Sequence, residues 1–258
     1  MTDQEATDNM AAARDDDDLR ESQQGLSGLS VKALNLDQLL TSVAKLAVRA
    51  IPGADGAGLT LLEAERPNTI VATTAFVSEI DDIQYSLGQG PCISAAADGA
   101  TIRSGSLGAD PRWPRFGGRI ARLGVHSVLS LPLIVGDTVL GAMNVYAHAK
   151  NVFDERAATL GEMYAVPAAI SVQNAQVLAE AQRFVARLES VLADRRIVER
   201  AIGIMMSRGG GTAEDALDRL RTASQHEHVK LVELARTMVD EAVRRADARR
   251  AGHDGRRP

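Results

Sequence analysis

The chain has 258 residues, 24% of them charged and only 3% aromatic, with a formal net charge of −5. That is room for one good-sized domain and a small one, with a core of Ala, Val, Leu and Ile. No apolar run approaches about 18 residues, so no membrane span is expected. The acidic N-terminus lacks the basic-then-apolar order of a signal peptide. The single cysteine, Cys92, excludes an internal disulfide and fits a reducing, cytoplasmic setting.

Residues 1–34 read as a disordered acidic tail. Residues 1–36 hold eight acids against three bases, including the run Asp15-Asp16-Asp17-Asp18. Small polar residues dominate, and such a segment buries too little apolar surface to offset its ordering entropy. Structure is expected to start at Leu36. There Leu36, Leu39, Leu40, Val43, Ala47 and Ala50 form a helical stripe, ended by Pro52-Gly53.

Two strands follow, over residues 58–63 and 69–75, joined by Glu65-Arg66-Pro67-Asn68. After an irregular stretch, Leu129, Leu131, Leu133 and Val135 alternate with less apolar residues. Gly136-Asp137 makes a two-residue turn, and residues 139–147 return as the second arm of a hairpin. Adjacent antiparallel strands between helices give an α+β fold rather than a doubly wound parallel sheet.

Between these strands run Gln84-Tyr85-Ser86-Leu87-Gly88-Gln89-Gly90-Pro91-Cys92, then Asp110-Pro111-Arg112-Trp113-Pro114-Arg115-Phe116, then Gly124-Val125-His126-Ser127. With these residues the chain resembles the GAF domain family over residues 35–182, most narrowly the GAF domains that precede ANTAR modules in actinobacteria. The resemblance implies a ligand-sensing fold, with an antiparallel sheet and flanking helices enclosing a pocket. It leaves the ligand, and any cofactor, unknown. Two readings stay open for Cys92. It is a candidate ligand-binding or redox thiol at a helix start, where the helix dipole would lower its pKa, or a small buried hydrophobe. No resolving cysteine accompanies it. Trp113, the sole tryptophan, is expected to pin its loop onto the sheet, and His126 to be structural. No cluster of His, Cys, Asp or Glu has metal-ligand spacing, and no motif supports an enzyme.

From Asp154 to Arg208 the only strong helix breaker is Pro167, which predicts one long helix with a kink. Leu178, Ala181, Val185, Leu188 and Leu192 recur at three- and four-residue steps, a heptad seam of about two repeats. The linker is placed at residues 183–193, and the seam predicts a parallel homodimer, with packing on the chain's own domains as the alternative. Beyond Arg195 the apolar stripe shifts phase to Val198 and Ala201.

Residues 194–246 read as three short helices. Gly209-Gly210-Gly211 ends the first, and Thr212 with Asp215 caps the second, which buries Ala216, Leu217, Leu220 and Ala223. Leu231, Leu234, Ala235, Met238 and Ala242 mark the third, and residues 247–258 are expected to be a disordered tail. The segment 195–258 holds fourteen bases against ten acids on an otherwise acidic protein.

Arg195, Val198, Ala201-Ile202-Gly203-Ile204-Met205-Met206, Ala216, Leu220-Arg221, Ser224-Gln225, Leu231 and Ala235 carry a second resemblance, to the ANTAR domain. It departs from the usual pattern at Ile202, where many members have Lys, and at Leu217, where many have an aromatic. The resemblance implies an RNA-binding transcription antitermination regulator that holds stem-loops of nascent transcripts. The basic and amide residues that project away from the apolar stripes are the candidate RNA contacts: Arg196 and Arg200, Arg219, Arg221 and Gln225, and Lys230. The alternative is a small-molecule sensor whose C-terminal bundle binds a protein or only dimerises. A DNA-binding regulator is a third reading.

Overall fold

A computed structural model describes residues 3–29, 35–63 and 66–254. They form two compact units, residues 1–180 and 181–258. A single helix, α6 (Glu155–Gly209), runs from the first into the second.

The first unit is built on a five-stranded antiparallel sheet of order β2-β1-β5-β4-β3. Its strands are β1 (Gly56–Glu63), β2 (Arg66–Ala72), β3 (Ile102–Ser104), β4 (Ser127–Val135) and β5 (Thr138–Ala147). The β4–β5 hairpin closes through Gly136-Asp137, with Val135 paired to Thr138 and Gly136 at a positive φ of 60°. β2 stops at Ala72, earlier than the pattern suggested. Thr73 leaves the ladder by a bonded exchange with Ala57, whose N–H reaches Thr73 Oγ1 and whose carbonyl accepts from Thr73 N–H. Ala75 already belongs to α3 (Ala75–Leu87).

Alternation of side chains across each strand gives the sheet two covered faces. On one face Ala57, Leu59 and Leu61 of β1, Met143 and Val145 of β5 and Leu129, Leu131 and Leu133 of β4 pack in the main core. That core also takes in α2 (Leu36–Ala50) and the start of α6. α2 matches its predicted span. Asn35 caps it by accepting from Gln38 N–H at 2.8 Å while Gln38 reaches back to Asn35 N–H at 3.1 Å. Tyr164 of α6 ties the two helices by donating to the Val43 carbonyl at 2.7 Å.

The expected disordered tail is corrected over most of its length. Asp3–Gly28 is a helix, α1, that packs on α2. Leu19, Ser22 and Leu26 lie on one of its faces and are buried. Gln23 donates to the Met163 carbonyl at 3.0 Å, Glu21 pairs with Arg49 at 2.7 Å, and Arg156 holds Asp16 at 2.8 Å. The segment buries too little apolar surface by itself; the opposing surface is supplied by α2. At the other end, α8 (Leu231–Asp254) continues through residues 247–254, where a tail was expected. Residues 1–2, 30–34 and 255–258 of those tails lie outside the described residues.

The opposite face of the sheet carries α3, α4 (Pro91–Asp98) and α5 (Pro114–Ile120) over a smaller aromatic core of Trp113, Phe116 and Tyr146. The stretch from residue 75 to 98, irregular by pattern, is two helices joined by a tight elbow.

Candidate functional site

The elbow between α3 and α4 makes the site. Gly88 ends α3 in the left-handed region at φ 59°. Gly90 sits at φ 157°, and a Cβ there would lie 2.2 Å from Gln84 Oε1. Only glycine admits this approach. It lets Gln84 Oε1 accept the Cys92 N–H at 3.0 Å, which binds the two helices together behind Pro91.

Between α4 and the sheet lies a cavity of about 600 Å³, lined by Thr60, Leu62, Tyr85, Cys92, Ala96 and Val139 among others. Tyr85 donates to Thr60 Oγ1 at 2.6 Å, and its hydroxyl is 3.3 Å from Cys92 Sγ. Cys92 does start a helix, as predicted, but its thiol moves opposite to the expected direction. Burial, then the nearby Asp81, push its pKa up to about 11 against hydrogen bonds from Tyr85 and Thr60. Desolvation outweighs the dipole of an eight-residue helix, so the thiol stays protonated at neutral pH.

A buried polar layer backs this end of the cavity. Strand register aligns Gly58, Asn144 and Ser130 across β1, β5 and β4. Ser130 Oγ donates to Asn144 Oδ1. Asp81 of α3 lies against Gly58, where a Cβ would meet its Oδ2 at 2.6 Å, and Tyr146 donates to its other oxygen at 3.1 Å. Desolvation raises the Asp81 carboxyl to about 7, against the Tyr146 hydrogen bond. Asp81 Oδ2, Gln84 Nε2 and Asn144 Nδ2 are buried without a hydrogen-bond partner among the described residues. Sequence pattern did not single out Asp81, Gln84 or Asn144 as site residues.

Trp113 packs as expected. It is buried, its Nε1 donates to Ser94 Oγ of α4 at 3.0 Å, and the Arg112 guanidinium lies 4.3 Å above its ring. Arg112 also grips Asp110 at 2.7 Å and holds that carboxyl down at about 2. His126 leads into β4 with its N–H on the Ala147 carbonyl.

In the second unit, the end of α6 packs with α7 (Ala213–Glu227) and α8. Ala201, Leu220 and Ala235 meet at the centre, ringed by Ile197, Val198, Met205, Leu231, Leu234 and Met238. Two alanines in the middle bring the backbones close. Gly210 and Gly211 turn at positive φ, and Thr212 and Asp215 form the expected reciprocal cap. His228, at φ 57°, ends α7 in the left-handed region.

The predicted RNA contacts fall into different environments. Arg196 and Arg200 are exposed on α6. Arg200 borders a groove of about 530 Å³ whose walls include Ile204, Ser207, Arg208, Val239 and Val243. Arg208 was not foreseen as part of such a surface. Arg221 and Gln225 are exposed on α7, with Arg221 3.2 Å from Asp218, and Lys230 is exposed just before α8. Arg219 is engaged elsewhere: its Nη2 donates to the Gly210 carbonyl at 2.8 Å and its Nε to the Asp215 carbonyl at 3.3 Å. It clasps the glycine turn.

The seam residues Val185, Leu188 and Leu192 are about half exposed, at 52%, 47% and 53%. Beside them runs a series with exact seven-residue spacing that pattern reading missed: Met163, Ile170, Val177, Phe184 and Val191, all exposed. No helix among the described residues is long and apolar enough to cross a membrane. No group of three or more His, Cys, Asp or Glu among them is placed to hold a metal ion.

Comparison with known proteins agrees with this architecture. Residues 33–173 match the model of the GAF domain family, and residues 186–239 match that of the ANTAR domain. The chain belongs to the GAF domain family, with an ANTAR domain following. Both are regulatory modules. Among curated proteins it is similar to the anaerobic nitric oxide reductase transcription regulator NorR of Vibrio vulnificus (strain CMCP6), 25% identical over 198 residues. The match takes in 76% of this chain but only 38% of that protein's length. Among solved structures, the GAF domain of a phosphoenolpyruvate-protein phosphotransferase from Coxiella burnetii aligns with a TM-score of 0.50 at 19% identity, covering 66% of this chain and 98% of that one. The corresponding Acinetobacter domain aligns at 0.47 and 13% identity, covering 64% and 97%.

Proposed function

We propose that this GAF–ANTAR chain is a non-enzymatic, cytoplasmic transcription antitermination regulator. Its GAF domain senses a signal, and its ANTAR domain binds stem-loops in nascent RNA. The observation that carries the reading is the Ala201–Leu220–Ala235 bundle placed directly after a GAF sensor, with arginines standing clear of its core. Arg196, Arg200, Arg221, Gln225 and Lys230 are the contacts, and Arg208 joins them at the α6–α8 groove. Arginine pairs bidentately with phosphate or a guanine edge and stacks on bases. The Arg221–Asp218 pair is exposed, so giving it up for RNA costs little. Arg219 serves this surface indirectly, by fixing the turn that sets α7 against α6. The name of the Vibrio relative, a transcription regulator, supports control of gene expression.

The exposed apolar face of α6 supports a homodimer formed along that helix. The protonated, buried Cys92 supports a sensor that uses its thiol as a cavity wall, without thiolate chemistry.

A gel shift of the full chain with a two-hairpin RNA tests the output. Salt-sensitive binding that prefers the hairpins over an unstructured RNA of equal length is expected. Arg221→Ala should weaken it by about 1–3 kcal/mol. Binding that ignores hairpins and is untouched by Arg221→Ala and Arg200→Ala would refute the reading. One observation favours a second reading, in which the bundle docks a protein: the groove beside Arg200 is walled largely by Ile204, Val239, Ala242 and Val243.

A further inference from the structure

The cavity under α4 combines an apolar body with one polar end and no charge. None of the described lining side chains is ionised at neutral pH; Leu62, Ile93, Ala96, Val139 and Ala142 supply most of the wall. Its polar groups, Thr60 Oγ1, Tyr85 OH and Cys92 Sγ, are gathered within hydrogen-bonding distance of one another. Behind them lies the Asp81 carboxyl, close enough to help push the pKa of both Tyr85 and Cys92 up, which keeps them neutral.

An anion entering here would find no Lys, Arg or His among the described residues of the wall and a carboxyl at its back. Burying such a charge without a partner is costly. The first two residues of α4 offer no replacement. Pro91 has no N–H, and the Cys92 N–H is taken by Gln84. A neutral hydroxyl or amide meets three groups that each can donate or accept. Unpartnered Asn144 Nδ2 and Gln84 Nε2 lie in the polar layer behind them, so this end of the cavity holds unspent hydrogen-bonding capacity.

We infer that the cavity takes an uncharged, mainly apolar small molecule that presents a hydroxyl- or amide-type group to Thr60, Tyr85 and Cys92. The inference rests on the reading of the GAF domain as a sensor and specifies what it senses. A volume of about 600 Å³ suits a ligand of one or two rings. Phosphorylated and carboxylate ligands are disfavoured by the same geometry.

The test is equilibrium dialysis of the full chain at about neutral pH against two probes with the same apolar body, 2-naphthol and 2-naphthoate. Saturable binding of naphthol near one per chain is expected, at least about tenfold tighter than naphthoate. Tyr85→Phe should weaken naphthol about threefold to tenfold and leave naphthoate unchanged. Ala96→Phe, which fills the cavity, should abolish naphthol binding while circular dichroism stays that of the parent. Equal or tighter binding of naphthoate overturns the inference and leaves the sensor reading standing. Failure of both probes to bind overturns it, as does naphthol binding indifferent to Ala96→Phe in a folded variant. The comparison of the two probes needs only the parent protein. RNA binding is read separately, by gel shift.

Discussion

Asp81→Asn should stabilise the GAF domain at alkaline pH and do little in acid. Asp81 is fully buried, and desolvation is the first cause that raises its carboxyl from 3.8 to about 7. A group held more protonated in the folded state contributes stability that is complete below about pH 4. It is lost progressively as pH rises through 7. The interval corresponds to about 4 kcal/mol at its upper limit, reached above pH 7. Asparagine keeps the shape and still lets an oxygen accept from the Tyr146 hydroxyl, which is 3.1 Å from Asp81 now. It removes the charge. Urea unfolding followed by the fluorescence of Trp113, the sole tryptophan and a core residue of this unit, reads the relevant transition. At pH 8 the variant should gain between about 1 and 4 kcal/mol over the parent; at pH 4 the two should agree within about 1 kcal/mol. Taking the difference between variant and parent cancels the titrating groups that Asp81 does not touch; those it does shift, Tyr85, Cys92 and Tyr146, stay protonated over this range. A difference that is the same at both pH values, or a variant less stable at pH 8, would refute the argument that a buried, poorly compensated carboxyl sits in this layer.

Gly141→Ala should cost more than about 3 kcal/mol or leave the protein insoluble, because the new Cβ would lie 2.0 Å from the Thr60 carbonyl at φ 157°; a soluble variant with the parent's near-ultraviolet circular dichroism would contradict this. Phe184→Glu with Leu188→Glu should halve the mass seen by sedimentation, since both side chains stand exposed on the proposed dimer face. A parent that already sediments as a monomer removes the dimer. Arg219→Ala should destabilise the helical bundle by about 1 kcal/mol through loss of its bond to the Gly210 carbonyl, whereas Arg221→Ala should leave stability within about 0.5 kcal/mol. Thermal melts of the two variants side by side decide between these outcomes.

Local signals were legible and long-range ones were not. α2, the β4–β5 hairpin and the Thr212 cap each rest on neighbours within one turn or one ladder, and pattern placed them closely. α1 escaped because its stripe is two leucines and a serine, meaningful only once α2 provides the opposite surface. α3 escaped for two reasons. Thr74 makes no side-chain cap, and the face that turns inward carries Asp81 and Gln84 among Val77 and Ile80. Polar residues on a buried face read as an exposed loop until their partners are known. Those partners lie far along the chain: Tyr146 for Asp81, and Thr60 for Tyr85. Cys92 shows the same limit, because its thiol responds to burial under the sheet more than to the helix that sequence places it on.

Arg219 and Arg221 stand two apart on one helix and read alike in sequence, yet they do different things. Position 219 faces the glycine turn, where the backbone of residues 210 and 211 is left-handed and carbonyls are exposed for want of helix partners. A guanidinium there satisfies the Gly210 carbonyl and the Asp215 carbonyl at once. It thereby fixes how α7 leaves α6. Position 221 faces away, held among the described residues by an exposed pair with Asp218 that a phosphate can replace. Removing Arg219 should therefore weaken RNA binding only to the extent that it loosens the bundle, with a salt dependence like the parent's. Removing Arg221 should lower the salt dependence as well, by about one phosphate contact. Salt titrations of the two variants on the same two-hairpin RNA separate a residue that shapes the surface from one that touches the ligand. An unchanged salt slope for Arg221→Ala would place Arg221 with Arg219, outside the interface.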